Sequence, residues 1–161
     1  MNNGGFIAMT HNVTARTGEM IWMFNTWMRF VATAADTGGR LAVVEQRLTP
    51  AGEPPRHVHA NEDEAFYVID GRLAATIGDD TPVNAGPGEF LFLPRGVPHS
   101  LHAKTAEVRV LVLLTPAGFE QFFAAIGQPA HSGELPEPTA PDLPAIAAAA
   151  ARYGVTLLPP A

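Results

Sequence analysis

The sequence predicts an all-β chain, an antiparallel sandwich or barrel, with helices confined to the C-terminal end. Between residues 20 and 115 it breaks into about ten short segments rich in Val, Ile, Leu, Phe and Thr, with Gly, Pro, Asn or Asp punctuating them every eight to twelve residues. Apolar residues make up 47% of the 161 and charged residues 16%, which suits one ordered core. Helical spacing replaces alternation only after Pro116.

The elements follow in order. Residues 1–18, rich in Gly, Asn and Thr, are expected to form a flexible arm. The barrel is expected over 19–117. It opens with EMIWMF and TWMRFVAT, then a turn at Asp36-Thr37-Gly38-Gly39 and the strand RLAVVEQRLTP. FYVIDG and GRLAATIG follow, joined at Asp70-Gly71, a hairpin signal because both residues accept positive φ. Asp79-Asp80 marks a turn, TPVNAG a short strand, and Gly86-Pro87-Gly88 another turn; EFLFLP, HSLHAKT and EVRVLVLL are the last strands. The segment 118–161 is expected to pack on the barrel. In it Phe119, Phe122, Phe123 and Ile126 recur at helical spacing up to Gly127, and 128–144 is a proline-rich connector. A second helix, LPAIAAAAARYG, starts after a capping Asp142, with Pro144 in its first turn and Gly154 beyond its end. The apolar tail VTLLPPA is expected to pack on the body or on a neighbouring chain.

Two polar stretches interrupt this pattern. In His57-Val58-His59 the imidazoles lie at i and i+2, on one face of a strand. Glu64, at an odd separation from His59, reaches the same point only because Ala60-Asn61-Glu62-Asp63 is a polar turn, after which Glu64 opens an antiparallel strand facing the first. His99 follows Pro94-Arg95-Gly96-Val97-Pro98 at the start of another strand. Three imidazoles and a carboxylate are the donor set of a first-row transition-metal site. His102, three residues past His99, falls on the opposite strand face, and His11 and His131 have no expected chemical role.

These two stretches resemble the paired motifs of the cupin superfamily, G-x5-H-x-H-x3,4-E-x6-G and G-x5-P-x-G-x2-H-x3-N. The chain matches from His57 to Gly71 and from Gly88 to His99; Gly52 sits one residue too close to His57, and Ala103 replaces the final Asn. The resemblance implies a double-stranded β-helix, or jelly roll, holding one divalent metal on His57, His59, Glu64 and His99. Fe, Mn, Ni, Co, Cu and Zn all accept these donors. PPRHVHANEDEAFYVIDG, PAGFEQFFAAIG and AARYGV with LLPP further resemble single-cupin bacterial proteins related to quercetin dioxygenases. That likeness implies oxygenolytic cleavage of a small aromatic or polyphenolic, flavonol-like substrate, with Glu64 as general base. The alternatives are non-redox isomerisation or cyclisation of a small metabolite, and binding without catalysis.

Inward-facing strand residues would wall the pocket. Phe66 and Val68 share one face, Phe90 and Phe92 another, and Tyr67 lies opposite Phe66. Trp22, Met23, Trp27 and Met28 are candidates for pocket, interface or core. The expected partners are a small-molecule substrate, dioxygen and a second copy of the chain in a homodimer. The formal charge of −6 without any Lys/Arg run argues against nucleic acid. The absence of cysteine excludes disulfides and thiolate ligands. With no signal-peptide pattern at MNNGGFIAMT and no membrane-length apolar run, the expected location is the cytoplasm.

Overall fold

Strand alternation sets the inner surface from the first hairpin onward. In β1 (Met20–Met23) and β2 (Thr26–Ala32) the side chains of Ile21, Met23 and Met28 turn inward. The two strands join through Phe24-Asn25, both at positive φ, 52° and 61°, the backbone whose twist suits a two-residue hairpin. Asn tolerates that region and Phe rarely enters it. Asn25 anchors the turn: its Nδ2 donates to the carbonyls of Ala51 and Thr139, and its Oδ1 accepts from the Thr139 amide. The computed structural model describes residues 18–159, so the expected arm, apart from Gly18, and His11 lie outside the described residues.

The expected turn at Asp36–Gly39 is a single helical turn, α1 (Ala34–Thr37). Thr33 N donates to Asp36 Oδ2, and Gly38 ends it at φ 64°. Then come β3 (Ala42–Leu48), β4 (His57–His59), β5 (Asp63–Asp70), β6 (Leu73–Ile77), β7 (Val83–Ala85), β8 (Phe90–Leu93), β9 (His99–Ala103) and β10 (Val108–Thr115). They are followed by α2 (Glu120–Ile126), β11 (Gln128–Pro129), α3 (Leu143–Ala151) and β12 (Val155–Leu157). The strands form two antiparallel sheets, β11-β1-β2-β3-β10-β5-β8 and β12-β4-β9-β6-β7. Chain-adjacent strands alternate between the sheets from β3 to β6, which is jelly-roll topology. The expected fold class therefore holds.

Asp70-Gly71 is not a hairpin. β5 pairs with β10 and β8, whereas β6 pairs with β9 and β7, so the turn is a corner between sheets. Gly71 does take positive φ, 78°, but the position is also crowded: a Cβ there would lie 2.4 Å from Glu107 O. Close passage of the 105–108 segment thus requires glycine as much as the turn does.

The helices close one end of the sandwich. Phe122 and Phe123 of α2 and Ile146, Ala149 and Ala150 of α3 are buried in the common core. Asp142 caps α3, its Oδ1 accepting from Ala145 N at 3.0 Å. The connector is irregular except where β11 pairs with β1 and at its last two residues, which already belong to α3. The apolar tail becomes β12, with Val155 opposite His59 and Leu157 opposite His57. Among the described residues no helix is long and apolar enough to cross a membrane.

Candidate metal centre

Strand register brings the polar residues together. β9 pairs with β4 at His57 and His99, which sets those imidazoles side by side, and His59 lies on the same inward face of β4. Glu64 comes from β5 in the other sheet, so β5 faces β4 across the interior and does not pair with it as a neighbouring strand. All four residues are buried, each offering a donor atom within 4.8 Å of the others. The Nε2 atoms of His57 and His99 are 3.1 Å apart. Glu64 Oε2 lies 3.3 Å from His99 Nε2 and 3.7 Å from His59 Nε2. Donors held about 2.1 Å from one ion are about 3–4 Å from each other.

Proton accounting tests whether an ion fits. His57 Nδ1 lies 2.7 Å from Pro55 O, and His99 Nδ1 lies 3.2 Å from Val97 O. A carbonyl accepts only, so each Nδ1 carries the proton, and the two rings face each other through Nε2. Both nitrogens of His59 and Glu64 Oε2 are buried without a hydrogen-bond partner. Such groups are costly unless a cation satisfies them. Burial lowers the His57 pKa to about 4, against the pull of Glu64 and with the other imidazoles adding to the fall. Burial alone would raise the Glu64 carboxyl, but the adjacent His99 and the other two imidazoles bring it down to about 2. The cluster thus sets a desolvated carboxylate against imidazole nitrogens within one ion's reach, a set that fits a divalent ion.

The other expected site residues separate. Phe66 lines the cavity that His57 and Glu64 enter, while Val68 is fully buried in the core and is not part of its lining. Phe90 and Phe92 are 56% and 51% exposed on the outer face, so the expected pocket role for them is wrong; Leu91 and Leu93 fill the interior instead. Tyr67, on the side opposite Phe66, is exposed. Met23 and Met28 line the cavity. Trp22 and Trp27 instead hold the connector, their Nε1 donating to the carbonyls of Glu134 and Ser132. His102 is on the outer face with Nδ1 2.9 Å from Glu53 Oε2, and His131 packs edge-on against Trp22.

Sequence reasoning missed two neighbours of the site. Glu62, read as part of a polar turn, is buried with Oε2 3.6 Å from His59 Nδ1. Its acidic side chain three residues past a histidine was the available signal. Phe119, read only as a helix residue, meets the His59 ring edge-on at 4.4 Å between centroids. The cavity is about 60 Å³, walled by Met23, Met28, Phe66, Leu101, Phe119 and Phe122, with Gln46 as a further polar group.

The cupin domain model matches residues 44–115, a span containing both motif segments. The chain is also 31% identical over 135 residues to quercetin 2,3-dioxygenase of Bacillus subtilis (strain 168), covering 83% of this chain and 40% of that protein. Residues 44–115 are therefore a cupin domain.

This cupin also matches the uncharacterized protein SCO3923 of Streptomyces coelicolor, 36% identical over 55 residues, covering 34% of this chain and 51% of that one. It thus spans about half the length, or less, of these two curated relatives. Among solved structures it resembles a single-substitution variant of oxalate decarboxylase from Bacillus subtilis at a TM-score of 0.54 and 25% identity, over 62% of this chain and 28% of that one. KdgF from Halomonas sp., at a TM-score of 0.53 and 18% identity over 60% of this cupin and 85% of that chain, shares the fold.

Proposed function

We propose that this cupin binds one divalent transition metal through His57, His59, Glu64 and His99 and acts as a dioxygenase on a small, enolisable aromatic compound. The carrying observation is the pair of Nε2 lone pairs 3.1 Å apart beside a buried carboxylate, opening on an apolar cavity. A bound ion supplies Lewis-acid and redox chemistry toward an oxygen-bearing substrate and dioxygen. The similarity to a quercetin dioxygenase over most of this chain supports that reaction class.

The protein's own groups supply the rest. Glu64, ionised, is the carboxylate that takes the proton of a substrate hydroxyl brought against it. Phe66, Phe119 and Phe122 pack a flat ring and exclude water. At about 60 Å³ the cavity is smaller than the roughly 150 Å³ known to admit benzene. A ring therefore enters as the flexible Met23 and Met28 yield, which favours one-ring substrates over a full flavonol. Among the described residues no Arg or Lys lines the cavity, which weighs against a small dicarboxylate.

The test is paired oxygen uptake and substrate loss by metal-loaded protein over a panel of catechols, enols and flavonols. Uptake matching the loss of a one-ring substrate is expected. Turnover that persists without oxygen and with zinc supports isomerase or cyclase chemistry instead, and metal-loaded protein inert across the panel rejects the dioxygenase. Elemental analysis should show metal lost from His57→Ala, His59→Ala, Glu64→Ala and His99→Ala and retained by His102→Ala.

A further inference from the structure

The three imidazoles of the site are not held alike. Nδ1 of His57 and of His99 each meets the carbonyl two residues earlier, Pro55 O and Val97 O, in the segments leading into β4 and β9. The corresponding carbonyl for His59 belongs to His57, inside β4 and between the neighbouring strands β9 and β12. No hydrogen bond joins it to the His59 ring, whose Nδ1 is buried without a partner among the described residues.

What faces that nitrogen is Glu62. Its Oε2 is 3.6 Å from His59 Nδ1 and is likewise buried without a partner, in a residue only 5% exposed. A carboxylate in that position requires a donor. Arg95 is electrostatically close, but its guanidinium is engaged by Asp63. The other oxygen of Glu62 lies beneath Gly118, where a Cβ would sit 3.6 Å from Oε1, and the next residue, Phe119, packs on the His59 ring. Glu62 and Phe119 thus hold His59 from two sides.

We propose that Glu62 is the positioning residue of the metal centre: it accepts the Nδ1–H of His59 and leaves Nε2 to face the ion. Where His57 and His99 lean on backbone carbonyls, His59 leans on a carboxyl side chain. A carboxylate behind a ligating imidazole fixes its tautomer and ring orientation. The proposal rests on the metal reading of the four-residue cluster.

The test uses cobalt(II), whose visible absorption reports the ligand field, in the wild type, Glu62→Gln and Glu62→Ala. Chelator competition should show Glu62→Ala binding cobalt 10- to 100-fold more weakly than wild type. The isosteric Glu62→Gln, which keeps an acceptor and loses the charge, should fold normally, bind with intermediate affinity and shift the cobalt absorption bands. Wild type that binds cobalt, with both variants within threefold of it and unshifted in spectrum, overturns the role of Glu62 and leaves the metal site standing. Wild type that takes up no cobalt overturns the metal reading and this inference together.

Discussion

Acidifying the metal-free protein from pH 7.5 to 4.5 should remove about 2–3 kcal/mol of stability through His57 alone. His57 is 7% exposed and its pKa lies at about 4, against an ordinary 6.5. Above pH 6.5 the ring is neutral in folded and unfolded chains and contributes no slope. Between 6.5 and about 4 the unfolded chain takes a proton that the folded one refuses, so stability falls as pH falls. Below about 4 both states are charged and the loss stops. The whole gap is worth about 3 kcal/mol, most of it developed by pH 4.5. Glu64 does not confuse this window. Its pKa is depressed from 4.5 to about 2, so its contribution is present above 4.5 and lost only as pH falls toward 2. The assay is urea unfolding of chelator-treated wild type and His57→Gln at both pH values, where the titrations they share cancel in the difference. The variant should lose about 2–3 kcal/mol less than wild type across the interval. If the two proteins lose stability in parallel, His57 is not buried neutral, and its Nε2 does not offer the site a free lone pair.

On β8, Leu91→Ala and Leu93→Ala should each cost about 2–5 kcal/mol in chemical unfolding, whereas Phe90→Ser and Phe92→Ser should change stability by about 1 kcal/mol or less; the reverse order would put the aromatics inside after all. The hydrogen bonds from the Arg95 side chain and backbone hold the Asp63 carboxyl down at about 2, so this pair stabilises the fold above pH 3.8 and ceases to as pH falls toward 2. Asp63→Asn should therefore flatten the acid limb of the melting-temperature profile between pH 5 and 2, and a profile parallel to wild type would remove Asp63 from that limb.

The parts legible in the sequence were those set by near neighbours. Alternation on His57-Val58-His59, the helical spacing of Phe119, Phe122 and Phe123, and the cap at Asp142 are each decided within a few residues, and the structure places them accordingly. The motif spacing likewise picked His99 over His102, and only His99 turns inward. Phe90-Leu91-Phe92-Leu93 shows where this kind of reading stops. Both faces of that strand are apolar, so alternation divides them without saying which one is inside. Pairing with β5 decides it: Leu91 is opposite Phe66 and Leu93 opposite Glu64, both inward residues, and cross-strand partners share a face. At Asp70-Gly71 only Gly71 takes the positive φ that the dipeptide allows, and the strand partner is not the next strand but β10, about forty residues further along the chain.

Residue type and short spacing in the sequence set the strand periodicity and an antiparallel sandwich or barrel, and the motif resemblance added the jelly-roll class and the four candidate donors. Tertiary structure decided which atoms meet. It set Glu64 on the sheet facing the histidines, laid the C-terminal tail beside β4, turned Phe90 and Phe92 outward, and folded Glu62 out of solvent to stand behind His59. Each of these depends on contacts between segments far apart in the chain, where burial of the joint apolar surface, and not local preference, selects the pairing.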